Sequence, residues 1–280
     1  MDIPRFVLGH NALIGVHHSD KNRDVLKPSL STHDLSFLEF AIDSGVGAIV
    51  LDNHPAAIET AKVLSRKSEM SVLPMIPYAQ AVVDEASSSG LSGVVRNMAA
   101  SVGVLSSSVF RTVTSPMNVS LSQLGAHIAT KKYLSDYPRN SLGGVCFLHN
   151  VVTDLMIGWE SYQGLRSFSR AIRSNGMIPG FVTLNPHRIP EIVKVVGEDS
   201  WFMTSVNSEG IQMGPDRIEV EERVLSNPRI NILAMSILGG GMLDPEKEIP
   251  HAFSFDAVKS IVVGTSSQTN LAQLLRIVGE

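Results

Sequence analysis

The sequence predicts an α/β protein folded as a closed (β/α)8 TIM barrel. Three observations carry the prediction. Eight short apolar runs recur along the chain, dense in Val, Ile, Leu, Met or Phe and without strict period-two alternation, as strands covered on both faces of a parallel sheet read. Helical patterns separate most of them, which implies right-handed βαβ units. The 280 residues suit one such barrel. An open doubly wound sheet is the alternative, but it has fewer strands as a rule, and no GxGxxG follows the first run.

The strand runs are, in order, "RFVLGHNALIGV", "GAIVLDN", "SVLPMIPYA", "GGVCFLHN", "MIPGFVTLN", "WFMTSVN", "INILAMSILGG" and "SIVVGTS". The first helix is expected from a Thr32 cap to Gly45, with Leu35, Leu38 and Ile42 at helical spacing. "PAAIETAKVLSRKS" forms the second. "ESYQGLRSFSRAIRSNG" ends in Asn175-Gly176, a good helix stop. "IPEIVKVVGED", "RIEVEERVLSNP" and "SQTNLAQLLRIVGE" complete the set. One connection is too long. Residues 79–140 hold two or three helices where one is expected, with Ser-rich "DEASSSGLSG" and Pro-broken "TVTSPMNVSLSQ" between them. This is read as a helical excursion after strand 3 within one barrel domain, 1–280, serving as decoration of the wall or as a cover or contact.

Composition narrows the function. The chain is 44% hydrophobic and 18% charged, with a formal charge of −4, and has no basic block interleaved with aromatics, so nucleic acid is not an expected partner. A single cysteine, Cys146, excludes an internal disulfide and suits a reducing, cytoplasmic setting. The N-terminal stretch lacks signal-peptide character, and no apolar run approaches the roughly 20 residues of a membrane span. A small-molecule substrate is the expected partner.

In this fold the active site lies at the C-terminal ends of the strands. There the runs deliver His10, Asn11, His17 and His18; Asp52, Asn53 and His54; Tyr78 and Gln80; His149 and Asn150; Asn185 and His187; Asn207, Ser208 and Glu209; Ser236 and Gly239-Gly240-Gly241; and Gly264-Thr265-Ser266-Ser267. Six of the nine histidines fall at these exits, while the opposite rim carries turn-type residues. Crowding titratable groups on one rim costs desolvation and repulsion, so the set as a whole points to a site, although any single histidine reads more readily as a loop or cap residue.

Two chemistries follow. His10, Asp52, His54 and His149 could converge on a divalent metal, the weaker option because no HExxH-type spacing is present. Alternatively, Asp52 and His149 act as an acid–base pair, with His10 and His54 lining the pocket. Cys146 lies inside its apolar run and reads as a buried thiol rather than a nucleophile. Gly239 to Gly241 would let backbone approach a ligand, and Thr265 to Ser267 open a helix whose N–H groups suit phosphate; an ordinary Ser/Thr cap explains the second stretch equally well.

Four stretches carry a resemblance. "AIDSGVGAIVLDNHPAAIETAKVLSRK", "VCFLHN", "INILAMSILGGGML" and "SIVVGTSSQTNLAQLL" resemble, in order, the strand 2, 4, 7 and 8 regions of the aldo-keto reductases. The resemblance implies a nicotinamide cofactor, NAD(P), lying across the C-terminal rim. It places Asp52 and His149 at two of the family's four catalytic positions, Asn185 at half of its carboxamide-binding pair, and Gly239–Gly241 with Gly264–Ser267 along the cofactor. The family's tyrosine is missing, since the span after Asp52 reads Asn53-His54-Pro55-Ala56-Ala57. Its lysine is missing too, since strand 3 ends Pro74-Met75-Ile76-Pro77-Tyr78, and so is the basic residue that would grip a 2′-phosphate after strand 8, since residues 264–273 contain no Lys or Arg. The implied protein is an oxidoreductase-like barrel enzyme with altered chemistry, acting on a small polar or phosphorylated substrate, with nicotinamide linkage left open and standard Tyr/Lys carbonyl reduction not expected. A metal-dependent lyase, isomerase or hydrolase and a non-catalytic binding descendant are the alternatives.

Overall fold

The computed structural model describes residues 3–10, 36–67, 69–77 and 130–279. Eight parallel strands close into a barrel in sequence order: β1 (Phe6–Gly9), β2 (Ala48–Asp52), β3 (Ser71–Ile76), β4 (Val145–Leu148), β5 (Ile178–Val182), β6 (Trp201–Ser205), β7 (Asn231–Met235) and β8 (Val258–Gly264). Each overlaps a predicted apolar run, β8 beginning two residues before its own. The first ends at Gly9, earlier than its run, and the rest of that run lies outside the described residues.

The helices are α1 (Ser36–Asp43), α2 (Pro55–Lys67), α3 (Asn150–Gly158), α4 (Tyr162–Ser174), α5 (Ile189–Val196), α6 (Arg217–Val220, continued by a π turn over Glu221–Leu225), α7 (Pro245–Phe253) and α8 (Gln268–Gly279). Gly176 follows α4 with φ +75°, a left-handed stop that glycine takes without steric cost. Two helices depart from the sequence reading. The α3 stretch, "NVVTDLMIG", opens on β-branched residues that disguise it. The α7 stretch, "PEKEIPHAF", carries an interior Pro250 and reads as broken. Capping explains why both form: His149 accepts from the Val151 N–H, and Asp244 from the Glu246 N–H with Pro245 opening the helix. Thr32 and residues 79–129 of the predicted excursion lie outside the described residues; of its end, residues 130–135 are helical.

Strand register decides which side chains fill the barrel. Neighbouring strands pair with a stagger of about one residue per strand, the usual shear for this barrel. Inward residues therefore stack in layers of four, taken alternately from even and odd strands. From the bottom these are Ala48/Val145/Trp201/Ser260, Val7/Leu73/Gly180/Leu233, Val50/Phe147/Met203/Val262 and Gly9/Met75/Val182/Met235. Most of these residues form one apolar cluster inside the barrel. Gly180 is fixed by packing: a Cβ there would lie 2.4 Å from the Phe147 ring, so the glycine makes room for the phenyl group that fills the centre. A second cluster lies between strands and helices, where Phe181 stacks on Phe202 (5.9 Å between centroids) and meets Phe168 of α4 edge-on (5.6 Å). Among the described residues no helix is long and apolar enough to cross a membrane.

Candidate active site

Above the apolar layers the next level in the same register is Asp52, His149, Ser205 and Gly264, from β2, from the residue after β4, and from β6 and β8. Three of its four members are polar. This is the floor of the C-terminal mouth.

Asp52 is the acidic member of the level. Its side chain is buried, and so is that of His10, the residue after β1; His10 Nε2 lies 3.2 Å from Asp52 Oδ2. The approach is poorly aligned with the ring N–H direction, so the contact is a close electrostatic one rather than a straight hydrogen bond. On its other oxygen Asp52 accepts the backbone N–H of His54 (2.9 Å). Burial pushes the carboxyl pKa up, but His10, the His54 N–H and the His54 ring outweigh it, and Asp52 is held below the ordinary carboxylate range. At neutral pH it is a carboxylate.

His149 and His54 share a second role. Each caps the helix that follows its strand, His149 Nδ1 accepting from the Val151 N–H (3.2 Å) and His54 Nδ1 from the Ala56 N–H (3.2 Å). With Nδ1 an acceptor, the neutral ring of each carries its proton on Nε2. Burial lowers the His149 pKa; Asp52 opposes this, His10 adds to it and Asp154 opposes it, and the net shift is downward. His149 is thus a neutral imidazole that offers an N–H.

Supporting contacts hold this floor. The Tyr137 hydroxyl donates to the Leu51 carbonyl (2.9 Å), and Asn53 Nδ2 donates to the Tyr133 carbonyl (3.1 Å), so the end of the excursion is tied to the strand bearing Asp52. Asp154 of α3 accepts from the Thr183 hydroxyl and the Leu184 N–H (3.1 Å), which ties the helix capped by His149 to the exit of β5. Cys146 is fully buried in the outer cluster, where desolvation pushes its thiol pKa up, and it faces away from the mouth.

The remaining predicted residues lie along the rim. Asn185 precedes the 3-10 turn Pro186–Arg188 that contains His187, and its N–H donates to Thr183 Oγ1 (3.0 Å). Asn207 is fully buried and clasps two loops, donating to the carbonyls of Ile211 (2.9 Å) and Ser236 (3.3 Å). Ser208 is held by buried Glu248 of α7. Gly239, Gly240 and Gly241 have φ of +54°, +74° and +89°, a left-handed run that only glycine adopts readily, and a Cβ at Gly240 or Gly241 would meet nothing within 4 Å. Ser236 (φ +53°) donates to Gln212 (φ +59°), two strained non-glycine residues joined at 3.0 Å. His17, His18, Tyr78 and Gln80 lie outside the described residues.

Two expectations for ligands meet this geometry differently. Among the described residues no three His, Cys, Asp or Glu side chains come together as a metal-binding group. At the strand 8 exit, Gly264 is exposed, Thr265 Oγ1 accepts the Ser267 N–H (3.1 Å), and Ser267 Oγ accepts the Asn270 N–H (3.3 Å). These hydroxyls cap α8, so this stretch is built as a Ser/Thr cap, and Ser266 lies half-buried between them. The Thr265 and Ser267 hydroxyls are thus directed at the protein's own helix.

Ser205 was not anticipated from sequence. It lies inside an apolar run two residues before Asn207, and Asn207 drew attention as the polar exit. The signal was available in the alternation Trp201, Met203, Ser205, which faces all three inward.

The fold and its polar floor define a (β/α)8 barrel with a candidate acid–base centre at the strand C-termini. Fold comparison places it more closely: the chain has the barrel fold of the aldo-keto reductases. It is similar to a putative aldo-keto reductase from Pseudomonas aeruginosa (TM-score 0.60, 14% identity, 98% of this chain and 89% of that one). It is similar also to aldo-keto reductase AKR11C1 from Bacillus halodurans in its holo form (TM-score 0.55, 10% identity, 99% and 87%). A third similar structure is the glycerol dehydrogenase AKR11B4 from Gluconobacter oxydans (TM-score 0.51, 10% identity, 99% and 88%). No protein-family model and no curated protein matches the sequence.

Proposed function

We propose that this chain is an enzyme that moves protons at a carbonyl or hydroxyl centre of a small, uncharged polar substrate. The observation that carries the reading is the buried contact of Asp52 with His10, with neutral His149 in the same electrostatic neighbourhood. A carboxylate and a neutral imidazole have complementary uses. Asp52 Oδ2 accepts a proton from the carbon next to a carbonyl. His149 Nε2–H hydrogen-bonds the carbonyl oxygen and stabilises the negative charge that develops there. Return of the proton to the same or the neighbouring carbon completes an exchange or an isomerisation without a co-reactant. His10 beside Asp52 supports the carboxylate and is placed to relay its proton.

The absence of the tyrosine and lysine of the aldo-keto reductases supports acid–base chemistry centred on histidine. The test uses dihydroxyacetone in D2O. Wild-type protein is expected to drive deuterium into its methylene groups, followed by proton NMR, and Asp52→Asn to abolish the exchange. Buffer-level exchange by the wild type would sink the reading.

The fold likeness to aldo-keto reductases favours a second reading, nicotinamide-linked carbonyl reduction on the same floor. A fluorescence titration with NADPH and NADH decides it: saturable binding of either supports the redox reading, and no binding of both removes it.

A further inference from the structure

Helix α3 begins at His149, and whatever holds α3 to the barrel decides where that imidazole stands. Its apolar packing is thin. The helix buries Thr153 and Ile157, leaves Val152 and Met156 half-buried against the core, and exposes Val151 and Leu155. Apolar burial on that scale holds a nine-residue helix poorly.

Polar bonds supply the rest. The Thr153 hydroxyl donates to the Leu148 and His149 carbonyls (both 3.2 Å), which fastens the first turn to its own strand. The next residue reaches the neighbouring strand. Asp154 accepts from the Thr183 hydroxyl and from the Leu184 N–H (3.1 Å), one donor to each carboxylate oxygen. Thr183 is fully buried and firmly anchored. Its N–H donates to the Met203 carbonyl (3.0 Å), its carbonyl accepts the Thr204 hydroxyl (2.9 Å), and its Oγ1 accepts the Asn185 N–H (3.0 Å). The Asp154 carboxylate therefore grips a fixed point of the barrel with charge-assisted bonds. Asparagine could not replace it in full, because its amide nitrogen would face one of the two donors.

His149 is coupled to that grip through the helix. Its Nδ1 accepts the Val151 N–H, so the ring is oriented by the first turn of α3 and moves with it. Asp154 acts on the charge of the ring as well. With Asp52 it favours the imidazolium, against burial and His10. The carboxylate thus has two effects on one ring, of place and of charge.

We infer that Asp154 is a positioning residue, which clasps α3 to the exit of β5 and so fixes where His149 stands at the mouth of the barrel. The inference rests on the acid–base reading of His149 and adds the group that holds it in place.

Ring NMR of protein labelled with 15N-histidine tests this apart from turnover, with His149→Asn identifying the His149 signals. Asp154→Asn is expected to move the His149 titration midpoint to lower pH, since a negative charge acting on the ring is lost. Thr183→Val keeps that charge in the chain and removes the buried hydroxyl. It is expected to shift the His149 ring resonances, and Thr183→Ser to return them to their wild-type positions. A role in stability alone would lower the Tm of Asp154→Asn and leave the ring unmoved, so an unchanged His149 midpoint overturns the assignment. Unmoved ring resonances in Thr183→Val overturn it too. In the deuterium-exchange assay Asp154→Asn is expected to slow exchange by about 10–100-fold, the scale of a misplaced reacting group, with Thr183→Ser recovering what Thr183→Val loses. Exchange by the wild type with an unmoved ring in Asp154→Asn would keep the acid–base reading and remove the positioning role. A moved ring in a protein without exchange would keep the positioning role and remove the acid–base reading.

Discussion

His10 Nε2 and Asp52 Oδ2 meet at 3.2 Å with both side chains buried, although 42 positions separate them in sequence. They are neighbours because β1 pairs with β2 so that Gly9 stands opposite Val50, which brings the residue after β1 up to the last residue of β2. Register, rather than any local motif, makes this pair.

Asp52→Asn is expected to lower any turnover by about 10²–10⁴-fold, the usual contribution of a positioned acid or base. It is expected to lower stability modestly as well, since the ionised carboxylate favoured by His10 and the His54 N–H is lost. Parallel measurement of catalytic rate and urea midpoint checks both. A large loss of stability with a small loss of rate would reassign Asp52 to a structural network.

The pH dependence of stability follows from two shifts of known direction. Asp52 has a folded pKa below its unfolded value of about 3.9. Its contribution to stability is present above that value and is lost as the pH falls through the folded pKa. His149 has a folded pKa below its unfolded value of about 6.5. The unfolded chain therefore takes up a proton first as the pH falls through about 6.5, and stability decreases until the folded ring protonates too. Urea midpoints between pH 8 and pH 3 should show both limbs. His149→Asn, which keeps an N-cap side chain, should flatten the upper limb and leave the lower one.

Gly180→Ala should destabilise the barrel by about 1–3 kcal/mol or more, because its Cβ would lie 2.4 Å from a Phe147 ring atom in the packed centre. Phe147→Leu should be destabilising alone yet recover part of the loss in combination. Additive free energies in a double-mutant cycle would show that the two positions do not share that space.

Cys146 should be inert in the native protein. It is fully buried and its thiol pKa is raised by desolvation, so the reactive thiolate is scarce. Mass spectrometry after iodoacetamide treatment should show no adduct under native conditions and complete alkylation in 6 M guanidinium. Rapid native labelling would contradict the buried placement.

Much of this was legible before the fold was known. Seven of the eight strands sit within the apolar runs and β8 begins two residues before its run, at Val258, because strands covered on both faces are mostly apolar. Asp52, His54 and His149 were recognisable as polar residues that abruptly end such runs. Their second use as helix caps was less apparent, since histidine is not a usual capping residue and only the Nδ1 contacts reveal it. The helices α3 and α7 were obscured by β-branched and proline residues whose local preferences are overridden by caps and packing. The hydroxyls of Thr265 and Ser267 illustrate a limit of motif reading, because a phosphate-binding turn and a self-capped helix start share the same residues.

The sequence by itself determined the barrel and the rim on which its polar residues gather. These are properties of pattern: apolar periodicity, strand count and residue identity at each strand end. Only the tertiary structure decided which rim residues face one another. The stagger of one residue per strand sets Asp52, His149 and Ser205 on one level, while Asn207 clasps the loops after β6 and β7 and Thr265 caps its own helix. That choice depends on hydrogen-bonded register and barrel closure, which are long-range relations no stretch of the chain encodes alone.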